Sequence, residues 1–508
     1  MEFGSEALRR ARGYEKEKAA EIPAGEKPDF HMTPPVGWIN DPNGFSCYKG
    51  EYHLFYQYHP YSTHWGPMHW GHSKTKDFIT WEQLPCALAP DEAYDGQGCF
   101  SGTALQDGDR HVLIYTSVLE KQDADGNKIV RQTQSVAVGD GVNYEKLPCN
   151  PVITADLLPE GSSRVDFRDP KLWKQGDRFY TAVGSLSVDG SGQIALFSAD
   201  HVDNWRFEKI LDRCQNRYGK MWECPDFFSL EGKQVLIVSP QFMRAEGLEF
   251  HNGNNVLYMI GDYDEEKLSF VRDQAFQVDY GLDFYAPETL ETPDGRRIMV
   301  GWLQSWDNYL TPGNQKWSGM MTIPRELHIR DGRLLQLPVR ELESYHGKSV
   351  KSRAVTVEGG SFVPGRDPLP AKKEPGVEIE GIRGRQFDMT VEVGAGDYER
   401  FEIDLAEGHG FRTAVYYEPA AGVLTFDRTY SGCEHDTLCT RSMYVRPQRG
   451  KIKLRIVMDR MTVEIFANDG EQAMTCLTYT DSRADKIRFA CKGRAECDVE
   501  FFELIKRM

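Results

Sequence analysis

Trp38-Ile39-Asn40-Asp41-Pro42-Asn43-Gly44 is the stretch whose reading decides the fold. Two apolar residues close a strand pattern. Asp41 precedes a proline, which biases it towards extended backbone. Asn43-Gly44 is a strong short hairpin signal. The expectation is a carboxylate at a strand end, on stiff backbone, beside a tight turn. Taken alone the stretch reads as an ordinary turn; repetition changes that reading. Four further segments share its form, around Phe100-Ser101-Gly102, Arg168-Asp169-Pro170, Glu223-Cys224-Pro225 and Tyr285-Ala286-Pro287. Each leads through a Gly-containing turn into a more apolar strand such as Val112-Leu113-Ile114-Tyr115 or Val235-Leu236-Ile237-Val238.

The unit recurs at intervals of roughly 54–68 residues, long for common propeller repeats but enough for four strands with generous loops. Five units predict a five-bladed β-propeller over residues 31–340. Successive blades present equivalent positions to the same end of a central channel. Asp41, Ser101, Asp169, Glu223 and Tyr285 are therefore expected at one mouth. A polar stretch, 341–354, reads as a linker with one or two helical turns. Beyond it, short alternating strands with turns such as Asn468-Asp469-Gly470 predict a β-sandwich over 355–508. The fold class is thus all-β, a propeller followed by a sandwich. Residues 1–30 form a polar leader, with a short helix at 5–21 capped by Ser5 and carrying a thin stripe of Ala7, Leu8 and Ala11.

The chain has 508 residues, too many for one core. Its net charge of −17 disfavours nucleic acid or an anionic membrane as partner. No apolar run is long enough to span a bilayer, and the charged N-terminus lacks the apolar core of a secretory signal. The 11 cysteines are odd in number, with no Cys-x-x-Cys pair, which fits a reducing, cytoplasmic setting.

Three acids at one mouth suit glycoside hydrolysis, in which one carboxylate attacks or activates water and another protonates the leaving oxygen. Local sequence suggests a division of labour. Glu223 lies between Met221-Trp222 and Cys224-Pro225, an apolar setting that favours the protonated acid. Asp41 lies between Asn40 and Asn43, whose amides suit an anion and hence a nucleophile. Asp169 follows Arg168, whose charge favours the carboxylate.

These motifs, with Phe55-Tyr56-Gln57, Asp283-Phe284-Tyr285, Pro324-Arg325-Glu326-Leu327 and Val463-Glu464-Ile465-Phe466, resemble glycoside hydrolase family 32, the β-fructosidases, in order over about residues 31–508. The resemblance implies a retaining mechanism without cofactor or metal, acting on a small sugar: sucrose, its 6-phosphate or short fructo-oligosaccharides. It implies Asp41 as nucleophile, Glu223 as acid/base and Asp169 as transition-state stabiliser. It implies Asn40, Gln57, Trp65, Phe100, Ser101, Arg168, Tyr285 and Trp302 as substrate-binding residues. The motifs leave fructan hydrolysis and fructosyl transfer open. An inverting arabinanase or xylosidase is disfavoured by the Trp38–Gly44 and Glu223–Pro225 motifs, and an inactive sugar-binding protein by the presence of all three acids. His53, His59, His64, His69 and His72 crowd one stretch, but prolines 60 and 67 interrupt it, and sugar contact or loop packing is the better reading than zinc.

Overall fold

The computed structural model describes residues 3–23, 25–122, 126–308, 313–359, 376–432 and 438–506. The chain divides into two compact units. The first holds residues 1–26, 32–277 and 285–333, and the second holds 27–31, 278–284 and 334–508.

The first unit is the five-bladed propeller, its blades opened by the strands Gly37–Tyr48, Gly98–Asp107, Ser162–Gln175, Trp222–Leu230 and Tyr285–Glu291. These are the five repeated segments. Each turns back antiparallel onto the apolar strand that follows it, and those second strands are buried at Leu54–Tyr56, Val112–Tyr115, Ala182–Val183, Val235–Val238 and Ile298–Val300. The predicted glycines sit in the turns at Gly50, Gly108, Gly176, Gly232 and Gly295, all with φ between 57° and 82°.

The opening motif departs from expectation. Asn43-Gly44 is not a hairpin: the strand runs on to Tyr48, and the reversal is at Lys49-Gly50, where both residues have positive φ as a type I′ turn requires. Gly44 (φ 54°) instead lies in a bulge between Asn43 and Ser46. A side chain there would meet the Phe55 ring at 2.6 Å, so the glycine admits close packing rather than a turn.

A second bulge recurs in every inner strand. It falls between Ile39 and Pro42, Phe100 and Gly102, Arg168 and Lys171, Glu223 and Asp226, and Tyr285 and Glu288. Four of the five contain or end on a proline, which has no N–H to give to a ladder. Below the bulges a buried cluster ties the strands together. Lys171 Nζ reaches Asp226 Oδ1 at 3.1 Å, Glu288 Oε1 at 3.7 Å and Thr289 O at 3.0 Å, and Glu288 Oε2 accepts from Phe45 N at 3.1 Å.

The second unit is the sandwich-like β-sheet. Its hub is the 19-residue strand Lys486–Leu504. The first half of this strand pairs with Asp397–Gly408; the second half pairs with both Gln386–Gly394 and His346–Glu358, so the sheet folds over. Alternating residues Val391, Val393, Phe401, Ile403, Leu454, Ile456, Val499 and Phe501 fill the core. The stretch read as a linker is structured: a 3-10 helix spans Arg340–Tyr345, and the strand His346–Glu358 follows. Its many exposed polar side chains hid the strand, although Val357 is buried in the core and Val350 and Val355 pack against it. Residues 27–31 are bound into this unit by His31, whose ring nitrogens meet Asp459 and Glu464 at 3.0 Å each.

The N-terminal helix is Glu6–Ala19, with the Ser5 hydroxyl accepting from Leu8 N at 3.1 Å as a cap. Its buried stripe is Leu8, Ala11 and Glu15, so a carboxylate replaces Ala7 in the expected set.

Candidate active site

The bulges aim the site residues. Asp41, Ser101 and Asp169 lie within their bulges, whereas Glu223 and Tyr285 are the last paired residues before theirs. The five marks thus occupy two adjacent positions of the repeat, not one as expected. Extra residues in a strand re-aim side chains, and here φ turns positive at Asp169 (66°), Cys224 (45°) and Ala286 (49°).

The side chains converge from blades I, II, III, IV and V. Ser101 Oγ donates to Asp41 Oδ2 at 2.7 Å. The Cys224 thiol lies 3.5 Å from that oxygen and 3.7 Å from Asp169 Oδ2, and Cys224 N donates to Asp169 Oδ2 at 3.0 Å. Arg168 gives Nε and Nη2 to Glu223 Oε1 at 3.0 and 2.9 Å. The Tyr285 hydroxyl lies 2.7 Å from Glu223 Oε2 and 3.0 Å from Ser239 O. Beneath them is a cavity of about 20 Å³, lined in part by Pro42, Ser101, Asp169, Cys224 and Ala286.

The electrostatics differ from the sequence argument. Glu223 is not held in apolar surroundings: it carries the Arg168 guanidinium and the Tyr285 hydroxyl. Arg168 pairs with Glu223, while its charge also acts on Asp169. Burial is the main influence on both aspartates. It raises Asp41 to about 6, against the Ser101 hydrogen bond and with the help of the Glu223 charge. It raises Asp169 to about 7, again with Glu223, while Arg168 opposes the shift. Burial, reinforced by the Asp169 and Asp41 charges, pushes the Cys224 thiol far up, so it stays a neutral donor.

The remaining predicted residues fall into three groups. Asn40 and Gln57 are buried in the wall: Asn40 Oδ1 accepts from Trp38 Nε1 at 2.8 Å, and Gln57 Nε2 donates to Cys99 O at 3.0 Å. Trp302 is fully buried, its ring edge-on to Trp38 at 5.8 Å and Trp306 at 5.0 Å. Trp65 and Phe100 form an edge-to-face pair at 5.9 Å, with Trp65 half exposed.

Several contributors escaped the sequence reading. Thr116 Oγ1 accepts from Asp169 N at 2.8 Å, and Gln132 Oε1 accepts from Arg168 Nη1 at 3.2 Å. Thr116 directly follows the Val112–Tyr115 run of the repeat, and Gln132 comes from the next strand, outside it, which offered no signal. Cys224 did stand in a motif, but only as an apolar residue. The crowded histidines divide. His53 Nδ1 meets His72 Nε2 at 2.9 Å beside His111, whereas His59 and His69 both reach Pro67 O. Among the described residues no group of three or more His, Cys, Asp or Glu is arranged to hold a metal ion.

Residues 31–338 match the description "Glycosyl hydrolases family 32 N-terminal domain", and residues 341–504 match "Glycosyl hydrolases family 32 C terminal". The chain belongs to glycosyl hydrolase family 32. A sucrose-6-phosphate hydrolase of Zymomonas mobilis is 36% identical over 489 residues, covering 93% of this chain and 90% of that one. A raffinose invertase of Escherichia coli is 36% identical over 473 residues, covering 92% and 93%. A GH32 β-fructofuranosidase of Bombyx mori superposes with a TM-score of 0.83 at 32% identity, covering 98% of each chain. The family supplies the frame in which the three carboxylates are read.

Proposed function

We propose that this chain is a retaining β-fructofuranosidase that releases fructose from sucrose and sucrose 6-phosphate. The observation that carries the reading is the meeting of three acids from three different blades: Asp41 and Asp169 at the Cys224 thiol, with the Glu223 charge acting on both. The names of the relatives above support the substrate class.

In this reading Asp41 attacks the anomeric carbon of the fructosyl unit and forms a covalent intermediate. Ser101 fixes its Oδ2. Glu223 gives its proton to the leaving oxygen, then takes one from the water that hydrolyses the intermediate. Tyr285 suits both states, because its hydroxyl can donate to the carboxylate or receive its proton while donating to Ser239 O. Asp169 accepts hydrogen bonds from fructose hydroxyls. Retention requires the two reacting carboxyls to be about 5–5.5 Å apart.

Asp41→Ala is expected to abolish turnover, and Glu223→Ala to lose most of it with partial rescue by azide as a β-fructosyl azide. An Asp41→Ala protein of comparable rate would remove the nucleophile assignment. The deciding assay compares sucrose, sucrose 6-phosphate, 1-kestose and inulin side by side. Both sucrose forms should be cleaved, since the phosphate lies outside the fructose pocket. A tenfold preference needs only about 1.4 kcal/mol, one charge-assisted contact. Long inulin should be slower, and faster release from inulin than from sucrose would make the enzyme a fructan hydrolase. Every described cysteine is free, which supports a reducing, cytoplasmic setting. Among the described residues no helix is long and apolar enough to cross a membrane.

A further inference from the structure

The helix Glu6–Ala19 takes no part in this chemistry, yet it is fastened to the outer strands of the first two blades. Buried Glu15 accepts from Cys86 N at 2.8 Å. Arg12 gives Nε to Cys86 O and Nη1 to Asn143 Oδ1, both at 2.9 Å. Ser5 donates to Asp91. Past the helix, Glu21 pairs with Lys316 at 2.7 Å and Glu26 accepts from Trp317 Nε1 at 2.8 Å. Trp317 in turn pairs with Gly37, at the start of the strand that carries Asp41.

One contact leads directly to the rim. The Tyr14 ring meets the Tyr61 ring edge-on at 5.0 Å, and the Arg10 guanidinium lies 5.0 Å over Tyr61. Tyr61 belongs to the turn 60–68 between the strands Glu51–His59 and His69–Thr75. That turn is closed at its base, where His59 Nδ1 and His69 Nδ1 both reach Pro67 O, at 3.2 and 3.1 Å. A side chain at Gly66 would strike the His59 ring at 2.7 Å, so the turn is also tightly packed. It carries Trp65, 49% exposed and edge-on to Phe100. Phe100 precedes Ser101, the residue that holds Asp41.

We propose that Tyr14 and Arg10 are positioning residues, through which the docked helix fixes the turn 60–68 and sets Trp65 against the leaving group of the substrate. The proposal rests on the β-fructofuranosidase reading. The side of the substrate follows from burial. Asn40, Asp41, Gln57 and Asp169 are all buried, so the fructosyl ring must sit among them. A half-exposed indole at the rim is left to face what projects outward. Its apolar face suits the ring of a sugar. A leaving-group contact made alike in the bound substrate and the transition state, once lost, raises KM and leaves kcat unchanged.

A helix that only stabilises the fold would affect all substrates alike. The test therefore compares sucrose with methyl β-D-fructofuranoside, whose leaving group is a single carbon. Tyr14→Ala should raise KM for sucrose at least fivefold, with kcat within twofold. Both constants for the methyl fructoside should stay within twofold, and Tyr14→Phe, which keeps the ring, should match the parent enzyme. Amide exchange over residues 60–68 should quicken in Tyr14→Ala. Equal losses on both substrates, or unchanged kinetics on both, would overturn the proposal. If Tyr14→Ala does not fold, Arg10→Ala decides by the same split, since Arg10 is exposed. A parent enzyme inactive on both substrates would defeat the β-fructofuranosidase reading instead. The exchange measurement would then still decide whether the helix fixes the turn.

Discussion

Asp41 sits between opposing influences: burial and the Glu223 charge favour its protonated form, and the Ser101 hydroxyl favours its anion. In the nucleophile role proposed for it Asp41 must be ionised, so kcat/KM should fall as pH drops through about 6. Removing the hydroxyl in Ser101→Ala leaves the anion less stabilised, and the acid limb of the profile should move to higher pH. Loss of a hydrogen bond to a charged group costs about 1.5–3 kcal/mol, which predicts a shift of roughly one to two pH units. The limb belongs to the coupled acids together, not to Asp41 alone. An unmoved acid limb in Ser101→Ala, measured over pH 4–8, would show that the hydroxyl does not tune the nucleophile.

At the scale of the element, the bulge is the device that builds the site, and blade II builds its bulge differently. Where the other blades have a proline, it has Gly102. A Cβ at Gly102 would lie 2.0 Å from Ile114 O and 2.7 Å from Tyr115 Cα, both backbone atoms of the neighbouring strand. Gly102→Ala must push that strand away, at about 1–3 kcal/mol or more, and carry Ser101 off Asp41. The expected outcome is a lower melting temperature together with a tenfold or larger fall in kcat. A variant with normal kcat would mean that the bulge tolerates the shift. The same elements show what could be read in advance. The repeat, the turn glycines and the apolar second strands were legible because each is local: a period, a positive φ, a run of buried residues. The separate bulge between Asn43 and Ser46 was not, because Asn-Gly has the same chemistry in a hairpin and in a bulge, and only cross-strand register separates them. The partner of Arg168 was hidden for a related reason. Sequence adjacency placed its charge beside Asp169, where it does act, but gave no sign of the pairing with Glu223 in the next blade. The strand His346–Glu358 was read as a linker because its outward side chains are polar.

At the scale of the whole molecule, buried histidines should limit stability on both sides of neutrality, one set in each unit. In the propeller unit, burial lowers His53 to about 4 and holds His72 and His111 well below their usual range. They are neutral when folded and would charge in the unfolded chain. Their contribution is complete above about pH 6.5 and is lost as pH falls, by up to about 3 kcal/mol for His53 alone at pH 4. In the second unit the sign is opposite. Burial works against charge on His31, but the Asp459 and Glu464 carboxylates overcome it and raise the group to about 9. That contribution is complete below pH 6.5 and lost as pH rises through 9. Melting temperatures of the parent chain, His53→Gln and His31→Gln should be measured from pH 4 to 9.5. His53→Gln cannot gain a proton, so its acid slope should be flatter than that of the parent. His31→Gln leaves two buried carboxylates without their cation and should be destabilised by several kcal/mol at pH 6. Because the parent loses the same charge in alkali, the gap between the two should narrow as pH passes 9. A gap that stays constant from pH 6 to 9.5 would mean that His31 is neutral in the fold, and that its two contacts are ordinary hydrogen bonds.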